Sequence, residues 1–183
     1  QGPDREPLPP RSRRNMPKNI FVYGTLLKGL ENSHRLNSSK FMGGAVTVGN
    51  FYMVSNENNG VATSSTYEPT KQLDDDVELY KYPYLMKVPV AQEQHGSQIE
   101  GEVYEIDEKV LEELDALEDH PKTYLRQTID VLPTGNIDDA EFPTTVEGYI
   151  LESQEVIDDL KANVGKGRYS IVPGNSWFAY VKK

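Results

Sequence analysis

The stretch DEKVLEELDALEDHPKTYLR, residues 107–126, decides how the chain is read. Asp107 is a good helix N-cap, and Glu108 follows in the first turn, where the helix dipole favours an acid. Pro121 is expected to end the helix, because the residue before a proline is pushed out of the α region. Between them Val110, Leu111, Leu114 and Leu117 recur at helical spacing. Wound at about 100° per residue from Val110, Leu114 lies at roughly 40°, Leu111 at roughly 100° and Leu117 at roughly −20°, which is one apolar stripe. Glu112, Glu113, Asp115 and Asp119 fall away from it, at roughly 200°, 300°, 140° and 180°. Glu118 falls inside it, at roughly 80°, between two leucines.

Two environments fit an acid at that position. In one, Glu118 snorkels from the edge of the stripe into water. In the other it is desolvated near the negative end of the helix dipole. Both effects then disfavour the charged form, raise the pKa and make the carboxylate a proton acceptor suited to neutral pH.

Strands flank this helix on both sides. IEGEVYEI (99–106) alternates and feeds directly into it, and TYLRQTIDVL (123–132) alternates after it. NIFVY (19–23) is a short run of β-formers that reads as a buried strand. Phe41 to Tyr52 reads as a strand with glycines at bends, and ELYKYPYLMKVPV (78–90) as an edge strand marked by Pro83 and Pro89. TVEGYIL (145–151) and WFAYV (177–181) complete a set of about six or seven strands. Glu155 to Val164 reads as a second helix, and ENSHRLNSSK (31–40) as a short helix or loop with His34 at the surface.

The first strand stops at Tyr23 and turns into Gly24-Thr25-Leu26-Leu27-Lys28-Gly29. Such a turn leaves successive backbone N–H groups available to an anion, and Gly24 lets a ligand approach the backbone closely. An ordinary strand-ending glycine fits the same residues. A phosphate loop does not, because Leu30 follows the second glycine where Lys and Ser/Thr would be needed.

The 183 residues suit one domain with a formal net charge of −10 and no cysteine. The negative charge disfavours nucleic acid as a partner. The lack of cysteine removes disulfides, thiolate catalysis and cysteine zinc sites, and fits a cytoplasmic protein. No apolar run approaches the roughly 20 residues that span a bilayer, so no membrane partner is expected. Residues 1–18, rich in Pro and Arg, read as a disordered tail, and 19–183 as the domain. Within it, an exposed insertion is expected near 53–80. Its Asp74-Asp75-Asp76 run reads as a solvated acidic loop, lacking the spaced ligands of a cation site.

FVYGTLLKG (21–29), EGEVYEID (100–107) and LDALEDHPKTYLRQTI (114–129), in that order, resemble the γ-glutamyl cyclotransferase-like superfamily. The Leu-Asp-x-x-Glu and Pro-x-x-Tyr-x-Arg runs are similar to its γ-glutamylamine cyclotransferase and avirulence-induced-gene-like branch. The resemblance implies an α+β fold: a small mixed β-barrel, partly closed, with flanking helices. It implies Glu118 as general acid/base and Tyr23, Gly24, Thr25 and Leu26 as the loop that holds the γ-glutamyl moiety. It places Tyr124 on the same pocket. Arg126 then either supports the pocket or makes a structural ion pair, and His120 is expected at the surface.

The reaction so implied is internal: the α-amine of a γ-glutamyl group attacks its own γ-carbonyl, releasing 5-oxoproline and an amine. No enzyme nucleophile, metal or cofactor is required. The expected partner is a small γ-glutamyl substrate such as γ-glutamyl-ε-lysine. The alternative is a catalytically silent barrel serving small-ligand binding or protein interaction.

Overall fold

The computed structural model describes residues 17–57, 81–135 and 141–182. The expected tail, apart from its last two residues, and most of the expected insertion lie outside these.

Among the described residues, five strands close a barrel. β1 (Lys18–Val22) lies between β4 (Ser97–Ile106), antiparallel, and β6 (Thr145–Leu151), parallel. β6 pairs antiparallel with β5 (Tyr124–Pro133), and β4 with the long β2 (Lys40–Asn56). The ring closes where Ala45, Val46 and Thr47 of β2 meet Pro133, Leu132 and Val131 of β5. The mixed barrel expected from the resemblance is therefore present and fully closed.

β2 is long enough to serve two sheets. Its pairing with β4 shifts register between Phe41 and Gly43 and again between Val46 and Asn50. Such irregularities bend a strand, as its glycines suggested. Beyond them, residues 52–56 pair with β3 (Tyr82–Met86), and 54–56 with β7 (Tyr169–Ile171). Met53, Val54, Ser55 and Asn56 are buried. An insertion starting at 53 is thus too early: these residues are core strand, and the departure from β2 comes after Asn56. β3 lies at the end of the strand order, as the proline in its second position requires.

Gly101 shows how tightly the barrel is drawn. A Cβ there would sit 2.3 Å from the Val22 carbonyl oxygen and 2.6 Å from the Phe21 ring. The glycine of the Glu-Gly-Glu-Val-Tyr strand is a packing requirement of β1 against β4.

Among the described residues, three helices flank the barrel: α1 (Glu108–Leu117), α2 (Gln154–Asn163) and α3 (Trp177–Val181). In α1, Asp107 caps through its side chain, accepting from the Val110 N–H at 2.9 Å, and Val110, Leu111 and Leu114 are buried. The segment 177–181 is helical, contrary to the strand expected from its aromatic content. Ser176 caps it by accepting from the Ala179 N–H at 3.1 Å. Trp177 is fully buried, with Tyr180 and Val181 packed beside it on the core, while Phe178 and Ala179 are exposed. That is helical rather than alternating periodicity.

Candidate active site

Helix α1 does not end at Pro121. The Glu118 N–H donates to Leu114 O at 2.9 Å, Asp119 N–H to Ala116 O at 3.2 Å, and His120 N–H to Asp115 O at 2.9 Å. Asp119 has φ 53, in the left-handed region. This is a Schellman termination with aspartate where glycine is usual. Aspartate tolerates the conformation better than most residues, and here its carboxylate also accepts from the Thr123 hydroxyl at 2.7 Å. The helix therefore stops at Glu118.

Glu118 lines a cavity of about 390 Å³ bounded by the end of α1, the turn after β1 and β3. Its carboxyl is pushed up to about 7 by burial; the positive charge of nearby Arg35 acts in the opposite direction. The chain's one acid inside the apolar stripe is thus desolvated. Its remaining accessible surface belongs to the cavity wall.

The other residues singled out by sequence gather at the same cavity. Tyr23, Gly24, Thr25 and Leu26 line it from the turn after β1, and Tyr124 from the start of β5. Among the described residues, the Thr25 and Leu26 N–H groups donate to no protein acceptor. The tyrosine hydroxyls are committed elsewhere: Tyr23 donates to Tyr149 O at 2.7 Å and Tyr124 to Pro83 O at 3.0 Å. Burial, reinforced by Glu118, holds both phenols well above their ordinary pKa. They are neutral walls whose protons are used to brace the backbone.

Gly24 has a different neighbour from the one expected. A Cβ there would lie 2.7 Å from Pro83 Cγ and 3.1 Å from Cδ. The space is filled by the Pro83 ring, itself part of the cavity wall. Gly24→Val is therefore expected to force Pro83 outward, distort the pocket and lower stability by about 1–3 kcal/mol, the usual cost of overpacking. Ligand titration and thermal melting of the same sample check this. Unaltered affinity and an unaltered Tm would mean that β3 yields without consequence.

Several neighbours were not anticipated. Asp115 falls off the apolar stripe, yet Tyr149 donates to its Oδ1 at 2.6 Å and Arg126 Nε donates to the same oxygen at 3.0 Å. Arg126 also pairs with Glu147 on β6. Because Tyr149 accepts from Tyr23, this ion pair supports the cavity wall, joining the two roles considered for Arg126. His120 is half-buried rather than at the surface: its Nδ1 accepts from the Arg126 N–H at 2.9 Å, and its ring packs edge-on to Tyr149. Asn32 is buried beside Thr25, on the cavity. The longest of these contacts, Tyr149 to Asp115 and Arg126 to Glu147, join residues distant in sequence, and no local pattern announces them. His34 is exposed as expected.

Among the described residues, no group of three or more His, Cys, Asp or Glu side chains could hold a metal ion. No helix among them is long and apolar enough to cross a membrane.

The family model described as "Gamma-glutamyl cyclotransferase, AIG2-like" matches residues 20–177, spanning β1 to the start of α3. The chain belongs to this family. Zebrafish gamma-glutamylaminecyclotransferase A is 33% identical over 129 residues, which are 67% of this chain and 65% of that protein. Mouse gamma-glutamylaminecyclotransferase is 32% identical over 120 residues, 61% of this chain and 62% of that protein. The chain thus spans slightly less than two-thirds of these relatives. A crystal structure of a mouse AIG2-like protein superposes with a TM-score of 0.50 at 26% identity, covering 76% of this chain and 81% of that one. Within the γ-glutamyl cyclotransferase, AIG2-like family, the matched region contains every residue placed on the cavity above.

Proposed function

We propose that the chain is a γ-glutamyl cyclotransferase acting on γ-glutamylamines, with γ-glutamyl-ε-lysine as the representative substrate. The observation that carries this reading is the meeting of Glu118, its carboxyl raised to about 7, with the Tyr23–Leu26 turn on one cavity. The cavity's size falls in the range of small-molecule sites. The names of the zebrafish and mouse relatives favour amine leaving groups.

In this reading the cavity folds the γ-glutamyl group so that its α-amine faces its own γ-carbonyl. Nucleophile and electrophile already share a molecule, and holding them in attack geometry supplies much of the acceleration. Glu118, ionised, accepts a proton from the α-ammonium. The amine nitrogen then bonds to the γ-carbon, the carbonyl oxygen gains negative charge, and backbone N–H groups of the Thr25–Leu26 turn stabilise it. On collapse the C–N bond to the leaving amine breaks, Glu118 returns its proton to that nitrogen, and the ring nitrogen gives up its second proton, so that the lactam leaves neutral and the amine departs as its ammonium. A carboxyl with a pKa near 7 suits both transfers.

The test is a panel of γ-glutamyl-ε-lysine, γ-glutamyl amino acids and glutathione, with 5-oxoproline quantified. The expected result is stoichiometric 5-oxoproline and free amine, fastest with γ-glutamyl-ε-lysine and undiminished after dialysis against a chelator. Absence of 5-oxoproline from every member would overturn the reading. Loss on chelation, with recovery on adding a divalent metal, would overturn its metal-free chemistry.

A further inference from the structure

A γ-glutamyl compound brings two charges into the cavity on one carbon, an α-ammonium and an α-carboxylate. The ammonium has Glu118. The carboxylate meets aromatic walls and two acids, Glu118 and Asp119, while among the described residues no Lys, Arg or His lines the cavity. An anion in such surroundings is costly to bury without a compensating cation.

One cation stands immediately behind the wall. Arg35 lies in the 3-10 turn Ser33–Leu36, and its Nε donates to Asn32 Oδ1 at 3.0 Å. Asn32 lines the cavity; its Nδ2 donates to Thr25 Oγ1 at 2.9 Å and its backbone N–H to Thr25 O at 2.9 Å. The guanidinium is thereby tied, through one side chain, to the turn that carries the Thr25 and Leu26 N–H groups. Its charge is felt by Glu118. The other arginines among the described residues are engaged by carboxylates, Arg126 by Asp115 and Glu147 and Arg168 by Asp159. Arg35 has no acidic partner within salt-bridge distance among the described residues, and its two terminal nitrogens remain available. A half-buried arginine held by one hydrogen bond, with its fork uncommitted, is suited to carboxylate recognition.

We propose that Arg35 receives the substrate's α-carboxylate, fixed in place by Asn32. This rests on the γ-glutamyl reading above and deepens it: the site selects γ-glutamyl groups with a free α-carboxylate. Asn32 acts as a positioning residue, because it orients the guanidinium and the turn together.

The test compares two ligands that differ only in that carboxylate, 5-oxoproline and 2-pyrrolidinone. They are titrated by NMR into the full chain and into its Arg35→Gln and Arg35→Lys variants. The parent is expected to bind 5-oxoproline about 10- to 100-fold more tightly, the worth of a charge-assisted hydrogen bond. Arg35→Gln should bring the two affinities to within a few-fold of each other, and Arg35→Lys should restore part of the difference. In turnover, Arg35→Gln should raise KM by a similar factor, with a smaller effect on kcat. A parent-like ratio in Arg35→Gln, with γ-glutamyl turnover intact in the parent, would overturn the Arg35 assignment alone. A parent that neither binds 5-oxoproline nor turns over any γ-glutamyl compound would overturn both this and the proposed function.

Discussion

Replacing Glu118 by glutamine is expected to leave ligand binding nearly intact and to reduce turnover by about 10²–10⁴-fold, the usual cost of a lost acid/base group. Glutamine keeps the shape and hydrogen-bonding reach of the side chain but cannot accept the proton of the α-ammonium. The variant should fold at least as well as the parent. The folded-state pKa of Glu118 lies above its unfolded value, so protonation favours the folded state. The favourable contribution is complete below the unfolded pKa, near 4.5, and is lost as pH rises through about 7. Glutamine removes that loss, so the variant's Tm should match or exceed the parent's at pH 8. Glu112→Gln, on the exposed side of α1, is the control and should behave as the parent does. Asp115→Asn is unsuitable as one, since Asp115 holds both Arg126 and Tyr149. Parent-like 5-oxoproline release from Glu118→Gln would return Glu118 to the role of a buried acid without chemistry.

Gly101→Ala is expected to have the largest effect on the fold. The added methyl would meet the Val22 carbonyl oxygen at 2.3 Å, a backbone atom that cannot swing aside as a side chain can. Relief requires β1 and β4 to separate, and those strands sit at the centre of the barrel's strand order. A loss of at least about 3 kcal/mol, the upper range for overpacking, corresponds to a Tm lowered by about 6–12 °C. β1 also leads into the Tyr23–Leu26 turn, so turnover should fall in the surviving folded fraction. A melt within 2 °C of the parent, on the order of the smallest shift assignable to one kcal/mol, would mean that the barrel has slack at this crossing.

Much of this was legible in the chain because it is written in local periodicity. The inward phase of Glu118 follows from the spacing of Val110, Leu111, Leu114 and Leu117, and it survives although the helix stops earlier than Pro121 suggested. The strands at 145–151 and 99–106 alternate or run apolar over enough residues to be read directly. Trp177–Val181 misled because tryptophan, phenylalanine, tyrosine and valine all favour strands; Ser176 as a cap was the opposing signal. Tyr169–Ile171 was missed because three residues carry too little pattern, and their strand exists through pairing with β2. The polar run after Met53–Asn56 hides where the strand ends, which is why an insertion starting at 53 is expected from sequence while the strand continues to Asn56. The supports of the site, Arg126 with Asp115, Asn32 with Thr25 and Pro83 against Gly24, are tertiary contacts, and periodicity does not contain them.

In the proposed reaction Glu118 exchanges the proton of an intramolecular γ-glutamyl cyclisation. The most direct measurement is the pH dependence of kcat/KM for 5-oxoproline release from γ-glutamyl-ε-lysine, which reports the ionisation of the free enzyme. Below its pKa Glu118 is protonated and cannot act as a base. The rate should therefore fall about tenfold per pH unit below an acid limb near 7, the value to which burial raises Glu118. The residual activity of Glu118→Gln should lack this limb. A parent profile that is flat from about pH 5 to 8, or the same limb persisting in Glu118→Gln, would remove Glu118 from the role of base.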